Sequence, residues 1–220
     1  MGYYPIFLDL QGKRCLVVGG GEVATRKVQG LLEAGAEVSV VSPALTETLS
    51  MLAEWGAIQH AARAFQPGDV DGCALVIGAT DQSAVNAAVC EAARRQGIWV
   101  NIVDTPDACD FIAPAVVRRG ALQIAISTGG KSPTLAKQIR IQLEQLYGPE
   151  YAELLTWLGE QRKRIRRLAV DAATRKAFHE QLVDMALRRI ARLPLAQAPL
   201  SHTRDEPACT IPREPATIGA

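Results

Sequence analysis

The stretch Lys13–Ala24, KRCLVVGGGEVA, decides the fold of this chain. Its first half is a short apolar run typical of a buried strand, and three consecutive glycines follow it directly. The residues from Gly19 to Ala24 fit the pattern GxGxxA, which joins the first strand and first helix of a Rossmann βαβ unit. In that pattern Gly19 permits the tight turn, and Gly21 lets the backbone approach a pyrophosphate. Ala24 lets the helix pack closely on the strand.

The residues around this loop alternate between strand-like and helix-like segments from about 13 to 104. Val23–Ala34 has apolar residues at helical spacing and stops before Gly35, a residue typical of helix C-termini. Strands separated by single helices favour right-handed crossovers and a parallel sheet. The further predicted segments are the strands Glu37–Val41, Ile58–Ala62, Ala74–Ala79 and Trp99–Val103, and the helices Leu45–Trp55 and Ser83–Gln96.

This context favours a dinucleotide site at the glycine loop over a glycine-rich turn that binds no nucleotide. The pyrophosphate would meet the free N–H groups at the positive end of the helix. The acidic ribose ligand expected after the second strand is absent, and Ser42 offers a hydroxyl instead. No arginine stands there for a 2′-phosphate, so NAD is favoured over NADP. The predicted cofactor-binding residues are Gly19, Gly21, Glu22, Val23, Ala24, Ser42, Pro43, Ala44 and Thr80.

The second half of the chain changes character near Phe111. Its predicted elements are the strands Ala113–Val117 and Leu122–Ser127, the turn Ser127–Pro133, and the helices Thr134–Leu146, Tyr151–Leu168 and Ala172–Leu193. After Pro194 the composition loses periodicity, as in a disordered tail. The predicted fold class is α/β, with a Rossmann-type parallel sheet domain followed by a small α+β domain and a helical C-terminal domain. The predicted boundaries are 1–112, 113–148, 149–193 and 194–220.

The composition is that of a globular protein. Hydrophobic residues make up 48% of the 220 residues and charged residues 21%. The net charge of +1 argues against nucleic-acid binding along the whole chain. No apolar run reaches the roughly 18 residues of a membrane span, and the N-terminus does not fit a secretory signal, so no membrane association or export is expected.

The five cysteines and three histidines are scattered along the chain. The cysteines form no CxxC pair, which argues against a disulfide framework and a zinc site, and the histidines are too far apart to suggest a metal site. Cys15, Cys73 and Cys90 lie in apolar runs and are expected to be buried thiols. Such free thiols are typical of a reducing compartment, which predicts a cytoplasmic location.

A series of motifs lies in order between about residues 3 and 148. They are Pro5-Ile6-Phe7-Leu8, Gly19–Ala24 with Arg26-Lys27, Ala79-Thr80-Asp81 with Asn86, Asn101-Ile102-Val103-Asp104, Phe111–Ala115, and Ile126–Pro133 with Leu135-Ala136. On these motifs the chain resembles the precorrin-2 dehydrogenase family, the N-terminal module of siroheme synthases, which includes bifunctional dehydrogenase–ferrochelatases. The region after about 150 resembles the family only in being helical.

This resemblance implies NAD-dependent oxidation of precorrin-2 to sirohydrochlorin, and in some members insertion of ferrous iron to give siroheme. It implies that 113–148 is a dimerisation domain, and that the protein is a homodimer whose partner helps to build the active-site cleft. The segment from Ala113 to Leu146 is also too small to bury a core alone, which favours pairing about a two-fold axis. The fused methyltransferase module of some relatives is not expected, so the protein should not make precorrin-2 itself.

Asp104 is the candidate catalytic residue. It follows a buried strand at the carboxyl edge of the sheet, where ligands bind in doubly wound folds. A carboxylate there can accept a proton from the macrocycle while hydride leaves to NAD. The alternative is that Asp104 is the N-cap of the next segment. Thr80 and Asp81 follow the fourth strand near the expected nicotinamide end, and Asp81 is equally a candidate N-cap.

Two further regions suggest contacts with an anionic substrate. In the loop Ser127–Pro133, Thr128 and Lys131 are candidate substrate-binding residues, and the alternative is a strand-to-helix turn at the dimer interface. Between Arg162 and Arg192 there are ten Lys or Arg against three Asp or Glu. Such a run is usually a solvated helix face, but it would also steer a polycarboxylate substrate. RNA binding is not supported, because no aromatic residues are interleaved.

Two rival functions remain open at this point. A regulatory NAD-sensing module would bind the cofactor without turnover, whereas Asp104 and the long Ser127–Pro133 signature favour an enzyme. A different small Rossmann dehydrogenase would need a catalytic Tyr–Lys or Cys pair, which the sequence does not offer. The sequence does not decide whether the chain also inserts iron, because chelation requires no fixed set of metal ligands.

Overall fold

The computed structural model describes residues 2–168 and 170–191. The chain divides into two compact units, the first formed by Met1–Val116 with Ile124–Leu143 and the second by Val117–Gln123 with Glu144–Ala220. The predicted tail, 194–220, lies outside the described residues. The predicted domain boundaries at 112, 148 and 193 stay predictions.

The first unit contains a five-stranded parallel sheet in the order β3-β2-β1-β4-β5. Because β1 pairs with both β2 and β4, β2 and β3 lie on one side of β1, and β4 and β5 lie on the other. In doubly wound folds, ligands bind beside the strand at which the order switches sides. This arrangement confirms the predicted Rossmann-type α/β fold. The strands are β1 Arg14–Val18, β2 Glu37–Val41, β3 Ile58–Ala61, β4 Leu75–Gly78 and β5 Trp99–Ile102. The helices between them are α1 Glu22–Glu33, α2 Glu47–Glu54 and α3 Ser83–Arg95.

Alternation along the strands divides the core into two layers, one on each face of the sheet. Cys15 and Val17 of β1 pack with the buried residues of α1 and α2, whereas Leu16 and Val18 pack with those of α3. Successive side chains of a strand point to opposite faces, so a continuous apolar run such as β1 serves both layers. Cys15, Cys73 and Cys90 are buried free thiols, as predicted.

Two short 3₁₀ turns, Pro67–Val70 and Pro106–Ala108, were not predicted from the sequence. Each has proline at its start, where the fixed φ of the ring suits a helical turn and the missing N–H costs nothing. The second turn is separated from β5 by three residues and shapes the loop that carries Asp104.

The remaining elements are a two-stranded sheet and three helices. They are β6 Ala115–Arg119, β7 Leu122–Ile126, α4 Pro133–Leu146, α5 Glu150–Arg166 and α6 Ala172–Ala191. β6 begins two residues later than predicted, since Pro114 has no N–H to donate to a strand ladder. In the second unit the Arg119 guanidinium donates to the carbonyls of Glu144 and Tyr147, at 3.0 and 2.7 Å, and so satisfies the end of α4.

Within the described residues, no helix has both the length and the apolar character that crossing a membrane requires. The same residues contain no cluster of His, Cys, Asp and Glu side chains that could hold a metal ion. The cytoplasmic location stays a prediction.

Candidate functional site

The glycine loop between β1 and α1 leaves an open space at the start of the helix. Gly19 has φ +119°, and a Cβ there would collide with the Ala79 carbonyl, while a Cβ on Gly20 would collide with the carbonyl of Ala44. Gly21 is different, because a Cβ there would meet no atom within 4 Å. It is the N-cap of α1 and supplies no capping side chain, so the first N–H groups of the helix stay available for an anion.

The sequence reasoning gave roles to Gly19 and Gly21 but none to Gly20. The structure shows that Gly20 is needed for the close approach of the loop to the segment after β2, where its carbonyl also accepts from Thr46 N at 2.9 Å. The start of α1 follows the predicted packing, since Ala24 is fully buried and Val23 half-buried, while Glu22 is exposed at the first helical position. The loop and helix together fit a dinucleotide pyrophosphate.

The segment after β2 differs from a simple ribose site. The Ser42 hydroxyl donates to the Ala44 carbonyl at 2.7 Å, and the residue is only 8% exposed. Its own carbonyl accepts from His60 Nε2 at 2.9 Å. Pro43 and Ala44 are exposed, so they present the accessible surface of this turn. The Ser42 hydroxyl therefore holds the turn in shape, a role that sequence spacing does not reveal.

Thr80 lies after β4 in a closed hydrogen-bond network with Asn86. The Thr80 hydroxyl donates to Asn86 Oδ1 at 2.8 Å, and Asn86 Nδ2 donates back to the Thr80 carbonyl at 2.9 Å. The N-cap of α3 is Gln82, which makes no side-chain cap bond, so Asp81 is not the cap that one alternative predicted. Asn86 is a residue that the sequence reasoning quoted in a motif but did not place at the site.

Asp104 follows β5 in an unusual backbone conformation. Its φ is +60°, the only positive value at a non-glycine residue in the described parts of the chain. The side chain is exposed, and its carboxylate makes no hydrogen bond or ion pair with any described residue. The N-cap of the next turn is Thr105, so the capping alternative for Asp104 does not hold. An exposed carboxylate at the carboxyl edge of the sheet, with no hydrogen bond from the described residues, is available to take a proton.

Lys27 on α1 interacts electrostatically with Asp104. Burial lowers the pKa of the Lys27 ammonium, and the neighbouring Arg26 lowers it further, while the thiolate that Cys109 forms at high pH and the Asp104 carboxylate oppose both effects. Lys27 is half-buried, so this ammonium lies in a less aqueous setting than a surface lysine. Only the quoted motif signalled Lys27 in the sequence, and no role followed from it.

A cleft of about 780 Å³ lies between α3 and the turn that follows Asp104. Ile102 and Thr105 line it from the β5 side, and Asn86 and Arg94 line it from α3. The cleft thus lies beside the candidate catalytic loop, in the same unit as the glycine loop. Its size is within the range of small-molecule sites.

The loop Ser127–Pro133 is built by its own hydroxyl groups. The Thr128 hydroxyl accepts from Ser132 N at 3.1 Å, and the Ser132 hydroxyl accepts from Leu135 N at 3.2 Å at the start of α4. Lys131 is exposed, and its N–H donates to the Thr128 carbonyl at 3.2 Å. Thr128 therefore shapes the loop, while the Lys131 ammonium is accessible for an anion.

The second unit contains a basic groove of about 610 Å³ between α5 and α6. Arg175 is half-buried there and donates to the Val170 carbonyl at 2.9 Å. Glu180 is the one acidic residue among those that line the groove, and it pairs with Lys176 at 3.7 Å. The lining residues are Leu158, Arg162, Arg166, Ala172, Arg175, Lys176, His179, Glu180, Leu182 and Val183.

Comparison with known proteins agrees with this geometry. A family described as putative NAD(P)-binding matches residues 6–115, and a family described as sirohaem biosynthesis protein central matches residues 119–146. The chain belongs to the putative NAD(P)-binding family, whose model matches half of it. The predicted family resemblance and the prediction of a nicotinamide dinucleotide cofactor are thereby confirmed.

Similar proteins of known name include siroheme synthases. The chain is 44% identical over 184 residues to siroheme synthase from Methylococcus capsulatus, which covers 84% of this chain and 39% of the relative. It is 43% identical over 196 residues to siroheme synthase from Pseudomonas aeruginosa, which covers 88% of this chain and 42% of the relative. The chain thus spans about two fifths of the length of these relatives.

One solved structure resembles most of the chain. The structure of SirC, precorrin-2 dehydrogenase, superposes with a TM-score of 0.70 at 29% sequence identity, and the match covers 86% of this chain and 99% of that one. The match therefore includes residues beyond the parallel sheet.

Proposed function

We propose that this chain catalyses the NAD-dependent oxidation of precorrin-2 to sirohydrochlorin in siroheme biosynthesis. The observation that carries the proposal is the exposed carboxylate of Asp104, which accepts no hydrogen bond from any described residue and lies in the same unit as the open glycine loop. The siroheme synthase relatives and the precorrin-2 dehydrogenase structure name this chemistry for proteins of similar sequence or fold.

The roles of the residues follow from their positions. The N–H groups at the start of α1 hold the pyrophosphate in the space left by Gly21. When bound, NAD supplies the hydride acceptor. Asp104 takes the proton that leaves the macrocycle. The pyrophosphate site follows β1 and the proton acceptor follows β5, so the two lie at the ends of different strands.

NAD is preferred over NADP in this proposal. The described turn after β2 contains no arginine, and Arg63, which follows β3, is engaged by both carboxylate oxygens of Asp69 at 2.6 and 2.9 Å. That bidentate pair leaves little of the guanidinium for a 2′-phosphate. Pro43 and Ala44 present the exposed backbone of the adenosine side.

The same carboxylate supports a second reaction, insertion of ferrous iron into sirohydrochlorin. Iron enters as a substrate, and two pyrrolic protons must leave as it does. Asp104 is placed to accept protons in both reactions because its carboxylate is exposed and no described residue donates a hydrogen bond to it. The proposed ligands of the tetrapyrrole carboxylates are Lys131 and Thr128, with Lys131 offering the exposed charge.

A homodimer is part of the proposal, with 113–148 as the dimerisation domain and 149–193 as a helical domain. Large apolar side chains are exposed near the N-terminus and on α4, including Tyr4 at 87%, Phe7 at 69% and Leu146 at 62%. Surfaces of this kind are often covered by a second copy in oligomers. Sedimentation at micromolar concentration should show a dimer, and a monomer would contradict the proposal.

The deciding experiment incubates the purified chain with precorrin-2 and NAD, with and without ferrous iron. NAD reduction with formation of sirohydrochlorin is expected, and siroheme should form only when iron is added. If the chain binds NAD in calorimetry but gives no reduction, the NAD-sensing module is the correct function. If reduction occurs but iron gives no siroheme beyond the rate without protein, the chain is a dehydrogenase alone.

A further inference from the structure

We infer that Cys109 is a positioning residue for Asp104: its thiol ties together the two ends of the loop that presents the carboxylate. This inference rests on the proposed dehydrogenase function. The loop leaves β5 at Ile102, passes Asp104 and returns at Cys109. A left-handed residue such as Asp104 is held only when its surroundings fix the chain on both sides.

The sulfur of Cys109 contacts the backbone on both sides of Asp104. Before it, Ile102 N donates to Sγ at 3.3 Å, and Sγ lies 3.1 Å from the Ile102 carbonyl oxygen. After it, Sγ lies 3.3 Å from the Thr105 carbonyl oxygen. The single thiol hydrogen can be donated to either carbonyl, and the sulfur accepts from Ile102 N. One side chain thus contacts the backbone both before and after Asp104.

Cys109 can act as an anchor because the segment that carries it is itself fixed to β5. Asp110 N donates to the Val100 carbonyl at 2.8 Å, and Val100 N donates to the Asp110 carboxylate at 3.0 Å. Asn101, which is 8% exposed, donates through Nδ2 to the Phe111 carbonyl at 2.8 Å. The residues next to Cys109 should therefore stay in place when the thiol is removed, and only the loop between Ile102 and Cys109 should be released.

The thiol is protonated and able to donate near neutral pH. Burial raises the pKa of the Cys109 thiol above its usual value, and this effect outweighs the Ile102 N–H, which lowers it. Protonation matters because a thiolate would be repelled by both carbonyl oxygens. Serine keeps a donor at this position, whereas alanine removes both donor and acceptor.

Release of the loop should affect the reaction more than the cofactor. Because a small displacement of a catalytic group lowers a rate steeply, Cys109→Ala should reduce kcat by about tenfold. The KM for NAD should stay near the parent's, since the pyrophosphate loop follows another strand. Cys109→Ser should recover part of the loss. Cys73→Ala is the matched control, because that buried thiol lies at another turn and contacts the Asp69 carbonyl at 3.7 Å.

A double-mutant cycle tests whether Cys109 acts through Asp104. Cys109→Ala is compared in the parent and in Asp104→Asn, each by kcat, the KM for NAD and the thermal midpoint. The expected result is a loss of about tenfold in the parent and almost none in Asp104→Asn. Equal losses in both backgrounds, or an equal loss in Cys73→Ala, would show a general structural effect and overturn the inference.

Amide hydrogen exchange gives a readout that needs no activity. Cys109→Ala should speed exchange at Ile102 and Thr105 while leaving the amides of β1 unchanged. Unchanged exchange at Ile102 and Thr105 would overturn the inference even if turnover fell. If the parent chain proves inactive with precorrin-2, the proposed function fails, and the exchange result still decides whether Cys109 holds the loop.

Discussion

The Rossmann-type sheet and the α5–α6 helices use their residues in opposite ways. In the sheet, strand residues such as Val17, Val76 and Val100 are fully buried. In the two helices, Ile165 and Ala186 are the buried residues among those described, and most of the other side chains face solvent. Packing restricts a buried sheet position to apolar residues of suitable size, whereas an exposed helix position can carry a charged side chain. The sequence of the sheet region therefore predicts its fold, whereas the sequence of the two helices predicts mainly the charge of their surface.

The largest effect that would test this comparison is expected at Gly21. A valine there keeps the fold, because a Cβ at this position meets no atom within 4 Å, but its branches fill the space for the pyrophosphate. Gly21→Val should abolish NAD binding in calorimetry with little change in thermal midpoint. Gly20→Ala is the contrasting variant, since its Cβ collides with the Ala44 carbonyl and should destabilise the fold. Parental NAD affinity in Gly21→Val would show that the dinucleotide binds elsewhere.

The second effect concerns turnover rather than binding. Asp104→Asn removes the proton acceptor, so kcat should fall by about 10²–10⁴-fold, the usual contribution of a general base. NAD affinity should barely change. The matched control is Asp107→Asn, an exposed carboxylate in the same loop, which should keep the parental rate. A folded Asp104→Asn enzyme with near-parental turnover would remove this residue from the mechanism.

Most of the fold could be predicted because buried residues repeat with the period of their element. The five parallel strands came within one residue of their observed ends. The signal is clearest in β1 and β4, which are buried apolar runs bounded by turns. The start of β6 was misplaced because short, half-buried strands carry a weaker pattern. The ladder begins after Pro114 because that residue has no N–H to donate, and an apolar pattern does not report this.

Less of the candidate site could be predicted, because side-chain roles depend on contacts between distant segments. Asp104 was found from its place after a strand, but its left-handed conformation was not. Ser42 stays a predicted ribose contact, and its bond to the Ala44 carbonyl, which holds the turn in shape, could not be predicted from the sequence. Gly20 and Cys109 act on residues 24 and 7 positions away along the chain, at Ala44 and Ile102, and no local spacing rule reports such contacts.

The third expected effect is a change in the stability of the sheet with pH, caused by the buried Cys15 thiol. Burial, and to a lesser degree the neighbouring Cys73, raise the pKa of the Cys15 thiol to about 11 from 9.0. The folded state thus keeps a proton that the unfolded state loses first, so this contribution to stability is present below pH 9 and is lost as the pH rises toward 11. Two pKa units correspond to about 3 kcal/mol at most.

Denaturant unfolding between pH 8 and pH 11 measures this contribution. Cys15→Val fills a similar volume without a titrating group, and its stability should fall less over this range than that of the parent. Cys15→Ala should show the same flatter profile from a lower starting stability, because it leaves a cavity in the core. Parallel profiles for the parent and both variants would show that the thiol ionises equally in the folded and unfolded chains.

The smallest effect is expected in the basic groove of the helices. Arg162 and Arg166 lie one turn apart on α5 and line the groove, which holds a single acidic residue. If they steer a polycarboxylate substrate, replacing both by alanine should lower kcat/KM for precorrin-2 about three- to tenfold at low ionic strength while kcat stays near the parent's. The loss should shrink as salt rises, since charges are screened over about 10 Å at 0.1 M. The matched control replaces Lys163 on α5 and Arg167 at its C-terminal cap, which have the same spacing and charge but do not line the groove. A control loss as large as that of Arg162 and Arg166 would mean that net charge alone attracts the substrate, and a loss independent of salt would mean that the arginines contact it directly.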